Sequence, residues 1–142
     1  AAILAAGLES ELNKFTLVPR VLAGDPEVAA LLGGDSAQQA VLNRRLAALA
    51  QQTRAAAIYL MDARGLTLAA SNWRMPDSFV GNNYRFRRYY AQAARTGQAE
   101  QFALGTVSHR PGLYLSRRTR DGGVVVVGGA VTDYGDIRLL SG

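Results

Sequence analysis

The residue types best suited to ligand chemistry lie in one segment, residues 84–90, which reads Tyr-Arg-Phe-Arg-Arg-Tyr-Tyr. The pattern predicts a helix over Arg85–Thr96. Tyr84, Arg87 and Arg88 are three and four residues apart, so we expect them to share a face near the helix start. The free N–H groups and the dipole of a helix N-terminus favour anions. A guanidinium can form two parallel hydrogen bonds with a carboxylate. The segment therefore predicts a carboxylate clamp, with a mixed aromatic and basic surface helix as the alternative.

Two predicted strands carry small polar side chains at alternating positions. Alternation places one set on a single face of the first strand (Phe102, Leu104, Thr106, Ser108) and one set on a single face of the second (Tyr114, Ser116, Arg118). If these faces meet the arginine-bearing helix, they supply hydroxyl donors and one more cation to a small-anion pocket. The alternative is an ordinary solvent-facing side of a sheet.

Catalytic chemistry has little support in this sequence. His109 is the only histidine and lies in a predicted turn at His109–Gly112, without the partners that a general base or metal ligand needs. Asp62 and Asp121 also lie in predicted turns, where aspartate is common. The chain has no cysteine, nucleophile elbow or phosphate-binding glycine loop. We expect no catalytic residue, metal or cofactor, and a small hydrolase is an unfavoured alternative.

The charge balance is basic, because 16 Lys and Arg residues face 11 Asp and Glu residues in 142. Lys14 is the only lysine, so arginines dominate, and they are densest at Arg85–Arg88 and Arg117–Arg120. Such a balance suits a small anion, a nucleic acid or an anionic membrane, although it also arises from codon composition alone. No run reaches the ~18 apolar residues of a membrane span, and Ala1–Gly7 does not resemble a signal peptide. We expect a soluble fragment.

The first third of the chain predicts helices. Apolar residues three and four apart predict one long helix: Leu4, Leu8, Leu12, Phe15, Val18 and Leu22. Pro19 is expected to kink or divide it. A short helix is predicted at Pro26–Leu32 with Asp25 as its cap. A third begins after a cap at Asp35 or Ser36 and ends near Arg54, with an apolar side that includes Val41 and a largely opposite polar side that includes Arg45.

The remainder predicts an antiparallel sheet with one inserted helix, and hence an α+β domain. The predicted strands are Ala57–Met61, Leu66–Ser71, Glu100–Val107, Leu113–Thr119 and Val124–Val131. The last is a continuous apolar run, which indicates a central strand buried on both faces. We divide the chain into an N-terminal helical segment (1–54), the sheet with its inserted helix (55–132) and a linker (133–142).

Several long motifs resemble one known family, and the resemblance runs over nearly the whole chain. They include Ile58-Tyr59-Leu60-Met61-Asp62, the continuous run from Ala70 to Tyr90, Phe102-Ala103-Leu104-Gly105-Thr106, and Pro111-Gly112-Leu113-Tyr114-Leu115-Ser116. The chain resembles the extracytoplasmic sensor domains of bacterial four-carbon-dicarboxylate sensor histidine kinases, the DctB-like family. These are Cache or PDC domains with a PAS-like antiparallel sheet of about five strands and a long N-terminal helix.

The resemblance implies a periplasmic domain of an inner-membrane protein that binds a dicarboxylate and controls a cytoplasmic kinase acting on a response regulator. It also implies that Tyr84, Arg87, Thr106 and Ser108 contact the ligand carboxylate. The N-terminal helix is expected to pair in a homodimer, and 133–142 to lead toward a second module or the membrane.

One departure from the family pattern bears on the ligand. The family usually carries a lysine near the end of the last strand, where this chain reads Val127-Gly128-Gly129-Ala130. We hypothesise that Arg118 supplies the missing cation. The alternatives are a monocarboxylate ligand, or a module without ligand that only dimerises or transmits. Outside this fold class, the alternative is a nucleic-acid-binding domain, whose affinity for nucleic acid would fall steeply with added salt.

Overall fold

The computed structural model describes residues 16–104 and 111–130. Over these residues the chain forms four helices and five strands: α1 (16–23), α2 (Pro26–Leu32), α3 (Gln38–Thr53), β1 (Ala57–Met61), β2 (Thr67–Ala70), α4 (Arg88–Thr96), β3 (Gln98–Leu104), β4 (Pro111–Arg118) and β5 (Val124–Ala130). The strands pair antiparallel in the order β2-β1-β5-β4-β3. The predicted α+β class is confirmed. None of the helices so described is long and apolar enough to cross a membrane.

Strand β5 lies at the centre of the sheet, between β1 and β4, as its apolar run predicts. Its alternating valines serve two separate cores, because successive side chains point to opposite faces. Val125 and Val127 pack with the side chains of α1 to α3, whereas Val124 and Val126 pack with those of α4. The sheet is therefore covered by three helices on one face and by α4 with the preceding loop on the other.

Helix α2 forms where the sequence predicts it, and its start is fixed by Asp25. The Asp25 carboxylate accepts hydrogen bonds from the backbone N–H groups of Glu27 (2.8 Å) and Val28 (3.4 Å). It also pairs with the Arg45 guanidinium of α3, at 2.6 Å and 3.0 Å, and Arg45 reaches Glu27 at 2.7 Å. Arg45 was predicted among the polar residues away from the core, and it lies instead between α3 and α2.

Replacing Asp25 with alanine is expected to lower the free energy of unfolding by about 1–2 kcal/mol, the usual effect of losing an N-cap. The hydrogen bond from Arg45 lowers the pKa of Asp25 below its ordinary 3.8. The stability that the ionised Asp25 contributes is therefore fully present above pH 3.8 and is lost as the pH falls through the lowered pKa. Denaturant titrations at neutral and acid pH measure both effects. Asp77→Ala is the control, because Asp77 is exposed; an equal loss in both variants would contradict the prediction.

Helix α3 is bonded to the edge strand β2 through two side-chain amides. The Asn43 side-chain oxygen accepts from the N–H of Ala70 at 2.9 Å, and Gln39 donates to the carbonyl of Leu68 at 2.8 Å. These bonds satisfy backbone groups that an edge strand otherwise exposes. The helix ends at Thr53, close to the predicted Arg54.

The predicted cap of α3 and one side of its apolar face are wrong. The cap position is Ala37 rather than Asp35 or Ser36, because the Asp35 carboxylate accepts from the N–H of Ala37 in the turn before the helix. Val41, predicted on the apolar side, is exposed.

The start of α4 differs from the prediction, and this difference changes the site. The helix begins at Arg88 rather than Arg85, with Arg87 as an extended N-cap residue (φ −74°, ψ 137°). The preceding residues are held by the β1–β2 turn instead. The N–H of Tyr84 donates to the carbonyl of Gly65 at 3.0 Å. A Cβ on Gly65, which has φ 88°, would lie 2.6 Å from the Cβ of Arg85. Tyr84, Arg87 and Arg88 therefore do not share a helix face.

The remaining boundaries differ by a few residues. Helix α1 continues through Pro19 over residues 16–23, so the predicted division is not seen in the described part. Leu66 pairs with Asn83 rather than belonging to β2. Strand β3 begins at Gln98, and β4 begins at Pro111, inside the predicted turn, because Pro111 pairs with Leu104. The apolar positions before residue 16, the linker 133–142 and His109 lie outside the described residues.

Candidate functional site

A cluster of aromatic rings occupies the α4 face of the sheet. Tyr59, on β1, is at its centre and makes edge contacts with three rings, at centroid distances of 5.0 Å to Phe79, 5.9 Å to Tyr84 and 6.3 Å to Tyr89. Tyr59, Tyr84 and Tyr89 are buried. Edge-on aromatic pairs stabilise one another beyond the area they bury, so the cluster forms a rigid wall.

The Arg87 guanidinium lies over two of the rings at the end of this wall. Tyr89 of α4 and Tyr114 of β4 are stacked, with centroids 5.1 Å apart and planes at 17°. The Arg87 Cζ is 5.3 Å from the Tyr89 centroid and 5.4 Å from the Tyr114 centroid. The ring faces attract the cation and hold it at the N-terminus of α4. The side chain remains half-buried, which strengthens its attraction for an anion relative to bulk water.

The phenols beside Arg87 remain protonated at neutral pH. The hydroxyls of Tyr59 and Tyr89 share a buried hydrogen bond of 2.6 Å. Burial raises the pKa of Tyr59 well above its ordinary value. It also raises the pKa of Tyr89 to about 12, although Arg87 lowers this second pKa by a smaller amount. Burial also raises the pKa of Tyr114, again opposed by Arg87. Protonated phenols donate hydrogen bonds, and an anionic ligand accepts them.

These tyrosine pKa values predict a loss of stability at alkaline pH. A group with a raised folded-state pKa contributes stability that is fully present below its unfolded pKa, near 10, and that is lost as the pH rises through about 12 for Tyr89. We expect the melting temperature to fall over this range while tyrosinate absorbance rises. Tyr59→Phe should make the fall shallower while costing about 1 kcal/mol at neutral pH, since the Tyr89 hydroxyl loses its partner. A melting temperature that stays constant to pH 12 would contradict the assignment.

The strand positions beneath the Tyr114 ring are glycines. The strand register aligns Tyr114 with Gly128 and Ala57 in one row, and Gly112 with Ala103 and Ala130 in the next. A Cβ on Gly128 would lie 3.2 Å from the Tyr114 ring. The missing side chain therefore lets that ring lie close against the sheet. A Cβ on Gly112 would lie 3.5 Å from the same ring, so the Tyr114 ring covers both glycines.

The structure places the predicted site residues in different surroundings. Arg87 and Tyr114 meet at the stacked pair, and Tyr84 lies in the ring cluster, where its hydroxyl accepts from the Asn82 side chain at 3.2 Å. Arg88 is exposed in the first turn of α4. Thr106 and Ser108 lie outside the described residues, and Phe102, predicted on their face, pairs with Leu113 and therefore lies on the sheet face opposite Tyr114.

Ser116 and Arg118 face α4, as alternation predicts, and each bonds to that helix. The buried Ser116 hydroxyl donates to the carbonyl of Tyr89 at 2.8 Å. Arg118 donates to the carbonyl of Ala94 at 2.9 Å, in the last turn of α4. Because nine helical residues span about 13 Å, Arg118 lies roughly one helix length from Arg87. Arg118 is therefore not part of the cluster around Arg87.

Sequence reasoning did not select Tyr59, Phe79 or Tyr89 as site residues. For Tyr59 a signal was present, because alternation in β1 places it with Ala57 and Met61 on one face. The contacts of Phe79 depend on the folding of a loop and carry no periodic signal. In the described ranges, no group of three or more His, Asp and Glu residues could hold a metal ion.

A separate groove of about 520 Å³ lies at the β3 edge of the sheet. Its lining combines α1, α4, β3 and β4 and includes two arginines, Arg20 and Arg117. Arg117 donates to the Gln98 side chain at 3.3 Å. The groove is a second place where an anion can meet a guanidinium.

Comparisons with known proteins identify the family. The chain is 50% identical over 119 residues to the C4-dicarboxylate transport sensor protein DctB of Rhizobium meliloti, covering 83% of this chain and 19% of that protein. It is 38% identical over 128 residues to the protein of the same name from Pseudomonas aeruginosa, covering 86% and 21%. The chain thus spans about a fifth of the length of these curated relatives. No family model matches the chain.

Comparison with solved structures points to the same family as the sequence comparison. The V. cholerae histidine kinase DctB sensor domain, known from a crystal structure, superposes with a TM-score of 0.81 at 30% identity, covering 90% of this chain and 52% of that one. The five-stranded antiparallel sheet, its helices and the sequence identity therefore agree with the resemblance inferred from the motifs. In sequence and in fold, the chain is a DctB-like sensor domain.

Proposed function

We propose that this domain binds a small carboxylate and is the extracytoplasmic sensor module of a sensor histidine kinase. The best candidate ligand is a C4-dicarboxylate such as succinate, malate or fumarate. The observation that carries the proposal is the Arg87 guanidinium, held over the Tyr89–Tyr114 pair. Such a site offers a cation and protonated phenols in one place.

Each group has a defined part in the proposed complex. Arg87 pairs with one carboxylate of the ligand through two N–H groups. The hydroxyls of Tyr84 and Tyr114 are the nearby phenol donors, and Thr106 and Ser108 are proposed donors on the strength of the family resemblance. The buried rings exclude water, so each hydrogen bond to the carboxylate is stronger than it would be in solvent.

The names of the relatives support a role for the parent protein in signalling. Two are called C4-dicarboxylate transport sensor proteins, and the solved domain belongs to a histidine kinase. We propose a membrane-anchored parent with this domain in the periplasm, a homodimer formed through the N-terminal helix, and a response regulator phosphorylated by the cytoplasmic kinase part. Ligand binding then alters helices that cross the membrane, and the fragment itself is proposed to be non-enzymatic.

A monocarboxylate is the second candidate ligand. Within residues 16–104 and 111–130, Arg87 alone has its guanidinium over rings of this cluster. A dianion with one end unpaired in a desolvated pocket would bind weakly. A ligand with a single carboxylate does not have this cost.

A thermal-shift screen of mono- and dicarboxylates on the 142-residue chain tests the proposal. At a ligand concentration 100 times Kd, binding adds about 2.7 kcal/mol of stability, which corresponds to a rise of roughly 5–10 °C in Tm. We expect succinate, malate or fumarate to give this rise. A rise with monocarboxylates alone would favour the second candidate, and no rise with any acid would contradict carboxylate binding. Binding of nucleic acid that weakens steeply with salt would support the alternative class.

A further inference from the structure

Helix α4 begins without a capping side chain of its own. The side chain of its N-cap residue, Arg87, caps no backbone N–H of the first turn. The first N–H groups of any helix lack partners within the helix, and an uncapped first turn in a helix of nine residues is prone to fray. The position of Arg87 therefore needs support from outside the helix.

Gln101 supplies this support from β3. Its side-chain oxygen accepts a hydrogen bond of 2.8 Å from the backbone N–H of Tyr89. Gln101 is also the register partner of Tyr114, whose ring is stacked on that of Tyr89. Two neighbouring strands thus hold Tyr89, one through its backbone and the other through its ring.

We infer that Gln101 is a positioning residue for Arg87, acting as a long-range cap of α4. Arg87 precedes Tyr89 by two residues, and its guanidinium has no acceptor with which to cap the helix. Gln101 satisfies the Tyr89 N–H instead, and so fixes the backbone from which the Arg87 side chain extends over the two rings. Without the Gln101 acceptor, the first turn of α4 loosens and the guanidinium leaves its place. The effect on ligand affinity rests on the proposed function, whereas the effect on the position of Arg87 does not.

The test compares Gln101→Met, which keeps the length of the side chain and removes its acceptor, with the control Gln98→Met. Gln98 lies on the opposite face of the same strand, where its oxygen accepts from Arg117. Three quantities are measured: amide exchange at Tyr89, the ring-current shift of the Arg87 guanidinium protons, and Kd for succinate by calorimetry. For Gln101→Met we expect exchange at least tenfold faster, loss of the ring-current shift and at least tenfold weaker binding. For Gln98→Met all three stay within twofold.

Two further variants make the result specific. Gln101→Glu restores an acceptor of the same reach and should restore the protection of the Tyr89 amide. Gln101→Asn is one methylene too short, so it should behave as Gln101→Met does, and it replaces that variant if methionine prevents folding. These outcomes separate capping from a general loss of packing.

The inference is overturned if Gln101→Met leaves the Arg87 ring-current shift unchanged, or if it binds succinate as tightly as the wild-type chain or more tightly. The latter result would mean that Gln101 occupies an N–H that the ligand itself uses. A wild-type chain that binds no carboxylate contradicts the proposed function instead. In that case the Arg87 shift and the Tyr89 exchange still decide the positioning role.

Discussion

Replacing Arg87 with methionine is expected to abolish the rise in melting temperature that a small carboxylate gives to the wild-type chain. Methionine keeps the unbranched stem, so packing against Tyr89 and Tyr114 is largely retained while the charge is lost. Removing one partner of a desolvated charge pair typically costs about 2–5 kcal/mol of binding free energy. Affinity should fall by at least 30-fold, about 2 kcal/mol, when calorimetry is used to compare the two proteins.

Arg95→Met is the matched control for this change. Arg95 is an exposed arginine in the last turn of the same helix, so its loss changes the net charge equally without touching the ring cluster. We expect its affinity to stay within twofold of the wild type. Equal losses in both variants would mean that net charge, rather than a placed guanidinium, attracts the ligand.

Substituting Gly128 is the second change with a large expected effect. In Gly128→Ala, the added Cβ lies 3.2–3.3 Å from two carbons of the Tyr114 ring, at a position in the central strand β5. The ring must shift away from the sheet, which disturbs its stacking with Tyr89 and its contact with Arg87. We expect affinity to fall at least tenfold and stability to fall by about 1–3 kcal/mol, as for other overpacked interiors.

A double-mutant cycle isolates the contact between Gly128 and Tyr114. Gly128→Ala should cost less stability in a Tyr114→Leu background, because the smaller side chain no longer lies against the new Cβ. Gly24→Ala serves as the control glycine, since an added Cβ there has no neighbour closer than 3.9 Å. The same cost of Gly128→Ala in both backgrounds would show that Tyr114 is not what meets the added carbon.

Local sequence signals predict the elements that have a local cause. Asp25 followed by Pro26 sets the start of α2, and Gly97, with φ 100°, ends α4 where expected. The apolar run Val124–Val127 correctly predicts the central strand. In each case the chemistry that fixes the element lies within the element or beside it, so a window of sequence contains the information.

Elements fixed by distant contacts are predicted less well. The sequence from Arg85 onward suits a helix, yet the N–H of Tyr84 bonds to Gly65, a contact over 19 residues, and a turn closed by the Arg87 N–H on the Tyr84 carbonyl precedes the helix. The cap of α4 comes from Gln101, on a strand that follows the helix. Neither contact leaves a periodic or local signal.

The candidate site also combines features that local sequence signals predict with features that depend on distant contacts. Alternation correctly predicts that Tyr114, Ser116 and Arg118 share a face, but it does not predict what covers them. Helix α4 lies over this face along its length, so Ser116 and Arg118 bond to its backbone, and Tyr114 meets Tyr89 and Arg87 at its N-terminal end. The residue pattern and the resemblance to the DctB-like family both predict Arg87 as a ligand contact, and its guanidinium lies over the stacked rings.

A crystal structure of the chain grown with succinate tests the central claim most directly. We predict a succinate carboxylate paired with the Arg87 guanidinium at about 2.7–2.9 Å, the usual length of such charge-assisted bonds, beside the Tyr89–Tyr114 pair. Succinate bound elsewhere, for instance between Arg20 and Arg117 in the groove at the β3 edge, with Arg87 making no contact to it, would contradict the account.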